Sequence, residues 1–132
     1  DLEGNDTAGR TAVINAAWRG EQEVVDLLVE LDADLNVADN EGRTAVSWAA
    51  SNGHADIVRR LLENGARSGI ADEQGLTPIM RAAWNGHLDV VRLLINSGSQ
   101  LSETDETGKS ALDYAVLGGH REIARILRAF GA

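Results

Sequence analysis

Asp72-Glu-Gln-Gly-Leu-Thr-Pro-Ile-Met-Arg-Ala-Ala-Trp-Asn-Gly-His-Leu-Asp-Val-Val-Arg-Leu-Leu-Ile-Asn-Ser-Gly98 reads as one turn followed by two short helices. Asp72 to Gly75 has turn chemistry, because an Asp side chain bonds the backbone just beyond it and Gly accepts a positive φ. Thr77 followed by Pro78 predicts an N-cap and a first helical residue whose missing N–H costs nothing there. Ile79, Ala82 and Ala83 give this helix a stripe of small apolar side chains, and Gly86 is placed to end it. In the second helix Val90, Val91, Leu93, Leu94 and Ile95 make a wide apolar face. Gly98 closes it.

The same arrangement is written four times. Asp6-x-x-Gly9, Asp39-x-x-Gly42, Asp72-x-x-Gly75 and Asp105-x-x-Gly108 recur every 33 residues; Thr11, Thr44, Thr77 and Ser110 follow, then Gly20, Gly53, Gly86 and Gly119. Self-similarity at this period predicts an all-α solenoid of helix-turn-helix units joined by turn or β-hairpin fingers, each unit burying its apolar face only against its neighbours. The 132 residues then form a single domain, 1–132, with repeats 6–38, 39–71, 72–104 and 105–132. Residues 1–5 align with Asp34 to Ala38, the tail of a unit, so the chain reads as a piece cut in mid-repeat from a longer one. At the other edge Arg128 replaces Leu62 and Ile95, and Ala124 replaces Val91, as a polar terminal cap requires. The first unit keeps Val24, Val25, Leu27, Leu28 and Val29 without such relief.

Composition removes several functional classes. Without cysteine there is neither a disulfide framework nor a thiolate metal site. No apolar run approaches the roughly 18 residues that span a bilayer, so direct membrane insertion is not expected. Net charge is −9, from 21 acids and 12 bases, 11 of them Arg. That balance disfavours nucleic acid and anionic lipid, which need a basic footprint. The acidity is uneven: residues 1–66 carry 13 acids and 5 bases, residues 67–132 carry 8 and 7.

The run Gly-x-Thr-Pro/Ala, two alanines, Gly-His, then an apolar helix ending near Gly-Ala resembles the ankyrin repeat over the whole chain. One departure is the family's Thr-Pro-Leu-His tetrapeptide, which here reads Thr-Ala-Val-Ile, Thr-Ala-Val-Ser, Thr-Pro-Ile-Met and Ser-Ala-Leu-Asp. The missing His implies looser order at that turn. The resemblance implies a protein-binding solenoid, intracellular in the cytoplasm or nucleus, with a concave groove as its recognition face. It also implies a site of Asn hydroxylation at Asn36, eight residues after Leu28.

Residues of chemically capable types have plainer explanations. His54, His87 and His120 share one repeat position, occupied by Glu21 in the first unit. Helices pack about 8–10 Å apart, whereas a shared zinc needs each nitrogen about 2.0–2.1 Å away, so no metal site is expected. Asp6, Asp39, Asp72 and Asp105 are separated by a full repeat and are explained by turns. No catalytic triad can be assembled from what remains. No cofactor is expected and the chain is not read as an enzyme. Asn5-Asp6-Thr7 fits a glycosylation sequon on three residues only.

The aromatic residues vary from unit to unit. Trp18 and Trp84 share one repeat position with Ser51 and Leu117; three residues earlier, Trp48 and Tyr114 share another with Asn15 and Arg81. A core position would not alternate Trp, Asn, Arg and Tyr, so both are expected to face solvent or a partner. Trp, Tyr and Arg are also enriched at binding hot spots. Arg81 and Trp84 lie on one helix face, and with Trp48 and Tyr114 they are expected to form a single patch with cation–π contacts. Trp18, two repeats or about 20 Å from Trp84, would make a second pocket. The alternative is that these rings pack edge-on over neighbouring turns and serve stability alone.

Mapped through the resemblance, the recognition face carries Arg10, Arg19, Arg43, Arg81 and Lys109 against Glu41, Glu73 and Glu106, with Leu76 and Leu117 as apolar members. The rest of the chain carries seven bases and eighteen acids. Such a face suits another protein, or a linear peptide, with acidic and apolar groups, bound by a monomer. Arg at helix starts and turns can equally be ordinary solvated surface. A second expectation is a structural spacer, or an intramolecular docking segment, within a longer array of such repeats.

Overall fold

A computed structural model describes residues 4–6 and 10–131. Among these described residues eight helices pair into four units: α1 (Ala12–Arg19) with α2 (Gln22–Glu30), α3 (Ala45–Asn52) with α4 (Ala55–Glu63), α5 (Pro78–Asn85) with α6 (Leu88–Asn96), and α7 (Ala111–Leu117) with α8 (Arg121–Ala129). Thr11, Thr44, Thr77 and Ser110 are the N-caps of α1, α3, α5 and α7. Gly20, Gly53 and Gly86 take left-handed conformations at the C-caps of α1, α3 and α5. Among the described residues the fingers are turns, and the only pairing of hairpin type is an isolated antiparallel bridge between Thr104 and Ser110.

The turn after which the His of the tetrapeptide is missing finds other partners in three units. The Thr44 hydroxyl accepts from the Ser47 amide at 3.2 Å, and Met80 Sδ accepts from the Thr77 amide at 3.4 Å. Asp113 Oδ2 accepts from the Ser110 amide at 2.9 Å while the Ser110 hydroxyl accepts from the Asp113 amide, a reciprocal capping box. Among the described residues the Thr11 turn, with buried Ile14 in that place, shows no such substitute, and the buried hydroxyls of Thr11 and Thr77 are both without a partner.

One core runs through all four units. Ile14, Val25, Val46, Val58, Leu61, Ile79, Met80, Val91, Leu94 and Leu127 are essentially inaccessible and belong to a single cluster. Ala16, Ala17, Ala49, Ala50, Ala82, Ala83 and Ala115 are also buried, and such small side chains let the first helices approach closely. The first helices of successive units contact one another more extensively than the second helices do. The stack therefore curves, with α1, α3, α5 and α7 on its inner side.

Side chains stitch each unit to the one before. The last carbonyls of a helix have no partner within it. His54 Nε2 and Asn52 Nδ2 meet the Trp18 carbonyl at 3.3 and 2.9 Å; His87 and Asn85 meet that of Ser51 at 3.0 and 2.8 Å. His120 meets that of Trp84 at 3.0 Å, with Gly118 in the Asn place. The three histidines are thus structural donors, and no metal-holding cluster occurs among the described residues. Asn36 is another clasp: its amide donates to the Gly65 carbonyl at 3.2 Å and accepts from the Arg67 amide at 2.8 Å. Of the two substitutions expected to cap the last unit, only Arg128 reaches the surface; Ala124 is buried in the core. Of the apolar residues of α2, Val24 and Leu27 are exposed while Val25 and Leu28 are buried; Val116 and Phe130 are exposed in the fourth unit. No helix of the described residues is long and apolar enough to cross a membrane.

Candidate functional site

Each inner helix presents one stripe to the groove, at the positions nine and twelve residues after the turn Asp. The turn Asp itself is buried in three units. Oδ1 of Asp39 accepts from the amides of Glu41 and Arg43, both at 2.9 Å; Asp72 and Asp105 repeat this with Gln74 and Leu76 and with Thr107 and Lys109. Oδ2 is left over, and a buried carboxylate oxygen needs a donor.

The residue nine positions on supplies it. Trp48 Nε1 donates to Asp39 Oδ2 at 3.0 Å, Arg81 Nη2 to Asp72 Oδ2 at 2.5 Å, and the Tyr114 hydroxyl to Asp105 Oδ2. In the first unit Arg10 Nε takes this role toward Asp6 Oδ2 at 3.1 Å. The position expected to face solvent because its residues differ so much is therefore half-buried, with its polar tip turned back into the fold. Trp, Arg and Tyr share a donor at the end of a long side chain, and that is what the site requires.

Burial by itself would push the Asp105 carboxyl up, toward the protonated form. Hydrogen bonds from the Thr107 and Tyr114 hydroxyls and the Lys109 and Thr107 amides outweigh it and hold the carboxyl well below the usual carboxylate range. Burial, together with the bond to Asp105 and its charge, pushes the Tyr114 phenol up.

The rings pair in a way the repeat register alone does not announce. Trp18 packs against Trp48 with centroids 5.7 Å apart, and Trp84 meets Tyr114 edge-on at 5.4 Å. Both are contacts between residue i and residue i+30, because the side chain at the twelfth position leans toward the ninth position of the next unit. The expected single patch of Trp48, Arg81, Trp84 and Tyr114 thus divides in two. Trp48 belongs with Trp18, and no ring or cation–π contact among the described residues joins it to Arg81. Ser51 precedes Arg81 in the same relation, and the gap between the two ring pairs falls there.

Three guanidinium groups attend the first pair. Arg10 and Arg19 lie 4.9 and 5.9 Å from the Trp18 ring, and Arg43 lies 4.9 Å from the Trp48 ring. Arg43 also pairs with Glu41 at 3.2 Å and approaches Asp72 at 3.8 Å. Its Nε and that of Arg81 are buried without a hydrogen-bond partner. Arg19 is exposed and forms no ion pair among the described residues. Around the second pair, Trp84 is 47% exposed and Leu117 58%, while Leu76 and Lys109 are half-buried at the bases of their fingers. Such a surface can take up aromatic or aliphatic side chains and carboxylates.

A family model described as ankyrin repeats (3 copies) matches residues 1–72 and 67–132. No curated protein matches the chain.

Proposed function

Because the chain belongs to the ankyrin-repeat family, whose repeats are protein–protein interaction modules, we propose that it is a non-catalytic adaptor binding a partner segment in the groove lined by α1, α3, α5 and α7. The observation that carries this reading is the stripe of half-exposed rings along the inner helices, with guanidinium groups over Trp18 and Trp48, in a chain whose net charge is −9. Trp18, Trp48, Trp84 and Tyr114 supply rigid apolar area, Arg81 braces the middle of the groove, and Arg10, Arg19, Arg43 and Lys109 attract carboxylates, with Leu76 and Leu117 completing the apolar lining. The partner is a protein or a linear peptide with acidic and apolar groups.

Selection of a random peptide library on the whole chain tests this, with the Arg19→Glu/Trp84→Ala variant as counter-selection. A recurring motif rich in acidic and apolar residues that is lost on the variant supports the reading. Enrichment that survives on the variant moves binding off the groove.

A second reading is favoured by Val24 and Leu27 on α2 and Leu31 at its C-cap, which leave an apolar band exposed. On that reading the four units act as a spacer or docking segment against further repeats. A sharp rise in unfolding midpoint on fusing an additional repeat next to α2, without any peptide enrichment, would favour it.

A further inference from the structure

The groove differs along its length. In units 1 and 2 the recognition face carries Arg10, Arg19 and Arg43 against Glu41 alone; in units 3 and 4 Arg81 and Lys109 face Glu73 and Glu106. Each half also contains two turn aspartates, so including them leaves the difference unchanged. The cations are also placed differently. Three guanidinium groups lie over the Trp18–Trp48 pair, and Arg19 among them is exposed and forms no ion pair among the described residues. No cation lies over the Trp84–Tyr114 pair among the described residues, Arg81 is bound to Asp72, and the neighbouring exposed side chain is Leu117. One half offers positive charge on an aromatic floor. The other offers an apolar shelf whose surrounding charges balance.

The two ring pairs are two units apart. With helices packing about 8–10 Å apart, that is about 16–20 Å, which an extended chain rising about 3.3 Å per residue covers in five or six residues. Resting on the groove reading above, we propose that the site recognises an extended segment of a partner protein in a fixed register. Acidic side chains lie over Arg10, Arg19 and Arg43, and an apolar side chain about five or six residues away lies against Trp84, Tyr114 and Leu117. The acidic body of the chain outside the groove repels such a segment, so charge also restricts it to this face.

Four labelled peptides on a Gly/Ser frame test the register by fluorescence anisotropy on the whole chain. Each carries three Glu and one Trp, separated by six residues or by two, in both orders. One six-residue peptide binds at least tenfold more tightly than either two-residue peptide. Arg19→Glu weakens it at least tenfold, and replacing the peptide's Glu by Lys restores binding to that variant. Trp84→Ala weakens the Glu and Lys peptides alike. Equal binding at both separations, or failure of the charge swap with Trp84→Ala still weakening binding, overturns the register and leaves the groove reading standing. Binding unchanged by both Arg19→Glu and Trp84→Ala, or no binding by any peptide, overturns both.

Discussion

The Tyr114 hydroxyl donates to Oδ2 of Asp105, nine residues before it, closing the turn that begins the fourth unit onto the helix that lines the groove. Trp48 with Asp39 and Arg81 with Asp72 do the same with different chemistry. The residues proposed to meet a partner therefore also hold the fingers, and the two roles have to be separated by choice of variant.

Tyr114→Phe keeps the ring against Trp84 and removes only the donor. Asp105 is left buried with an unanswered oxygen, which costs about 1–3 kcal/mol. Chemical denaturation should show the loss as a lower midpoint at unchanged slope.

The same pair sets a pH dependence. Asp105 has a folded-state value depressed below its ordinary 3.8, so its contribution to stability is complete above that pH. Below it the unfolded chain takes up the proton first, and stability falls as pH drops through the depressed folded value. Tyr114 is raised, so its contribution is complete below its ordinary 10.0 and is lost as pH rises through the higher folded value. Tyr114→Phe should flatten the alkaline loss and shrink the acid one, measured as unfolding free energy against pH.

Arg81→Ala and Trp84→Ala should behave differently although they are three residues apart on α5. Arg81 is the hydrogen-bond partner of Asp72 Oδ2, so its loss costs about 2–3 kcal/mol of stability. Trp84 is 47% exposed and should leave the thermal midpoint nearly unchanged. Equal midpoints for the two variants would remove the bracing role given to Arg81.

Gly53→Ala places a Cβ 2.6 Å from His87 Nδ1, at a backbone φ of +75°. The left-handed conformation alone costs about 1–2 kcal/mol, and displacing His87 also breaks its hydrogen bond to the Ser51 carbonyl, leaving Asn85 as that oxygen's side-chain donor. A loss of about 2–3 kcal/mol is expected in denaturant melts.

Asp32→Gly should act in the opposite direction. Asp32 is the one described non-glycine residue at positive φ, 58°, and Gly65, Gly98 and Gly131 hold the same place in the other units. The expected gain is about 0.5–1 kcal/mol, read as a higher denaturation midpoint.

The period and the ends of most first helices were legible in the sequence because they rest on local chemistry: Asp and Gly in the turns, Thr or Ser at the caps, Gly at the stops, although α7 ends at Gly118 and not at Gly119. The groove was legible only in part. Trp, Arg and Tyr at one repeat position look unrelated by size and hydropathy, so their common donation to a buried carboxylate was missed. A Trp, Arg or Tyr at fixed distance from a recurring Asp is the signal that could have found it. The Trp18–Trp48 contact depends on how far one side chain leans toward the next unit, which spacing along the chain does not state. Asn36 shows the same limit, since its partners Gly65 and Arg67 lie a whole repeat away.

The central claim is that the ring-lined groove binds a protein segment. Its most direct test is the calorimetric affinity of a library-selected peptide for the wild-type chain and for Trp84→Ala, with thermal midpoints recorded on both. The account predicts a loss of about 2–4 kcal/mol in binding at nearly the same midpoint. Equal affinity for the two proteins would contradict it.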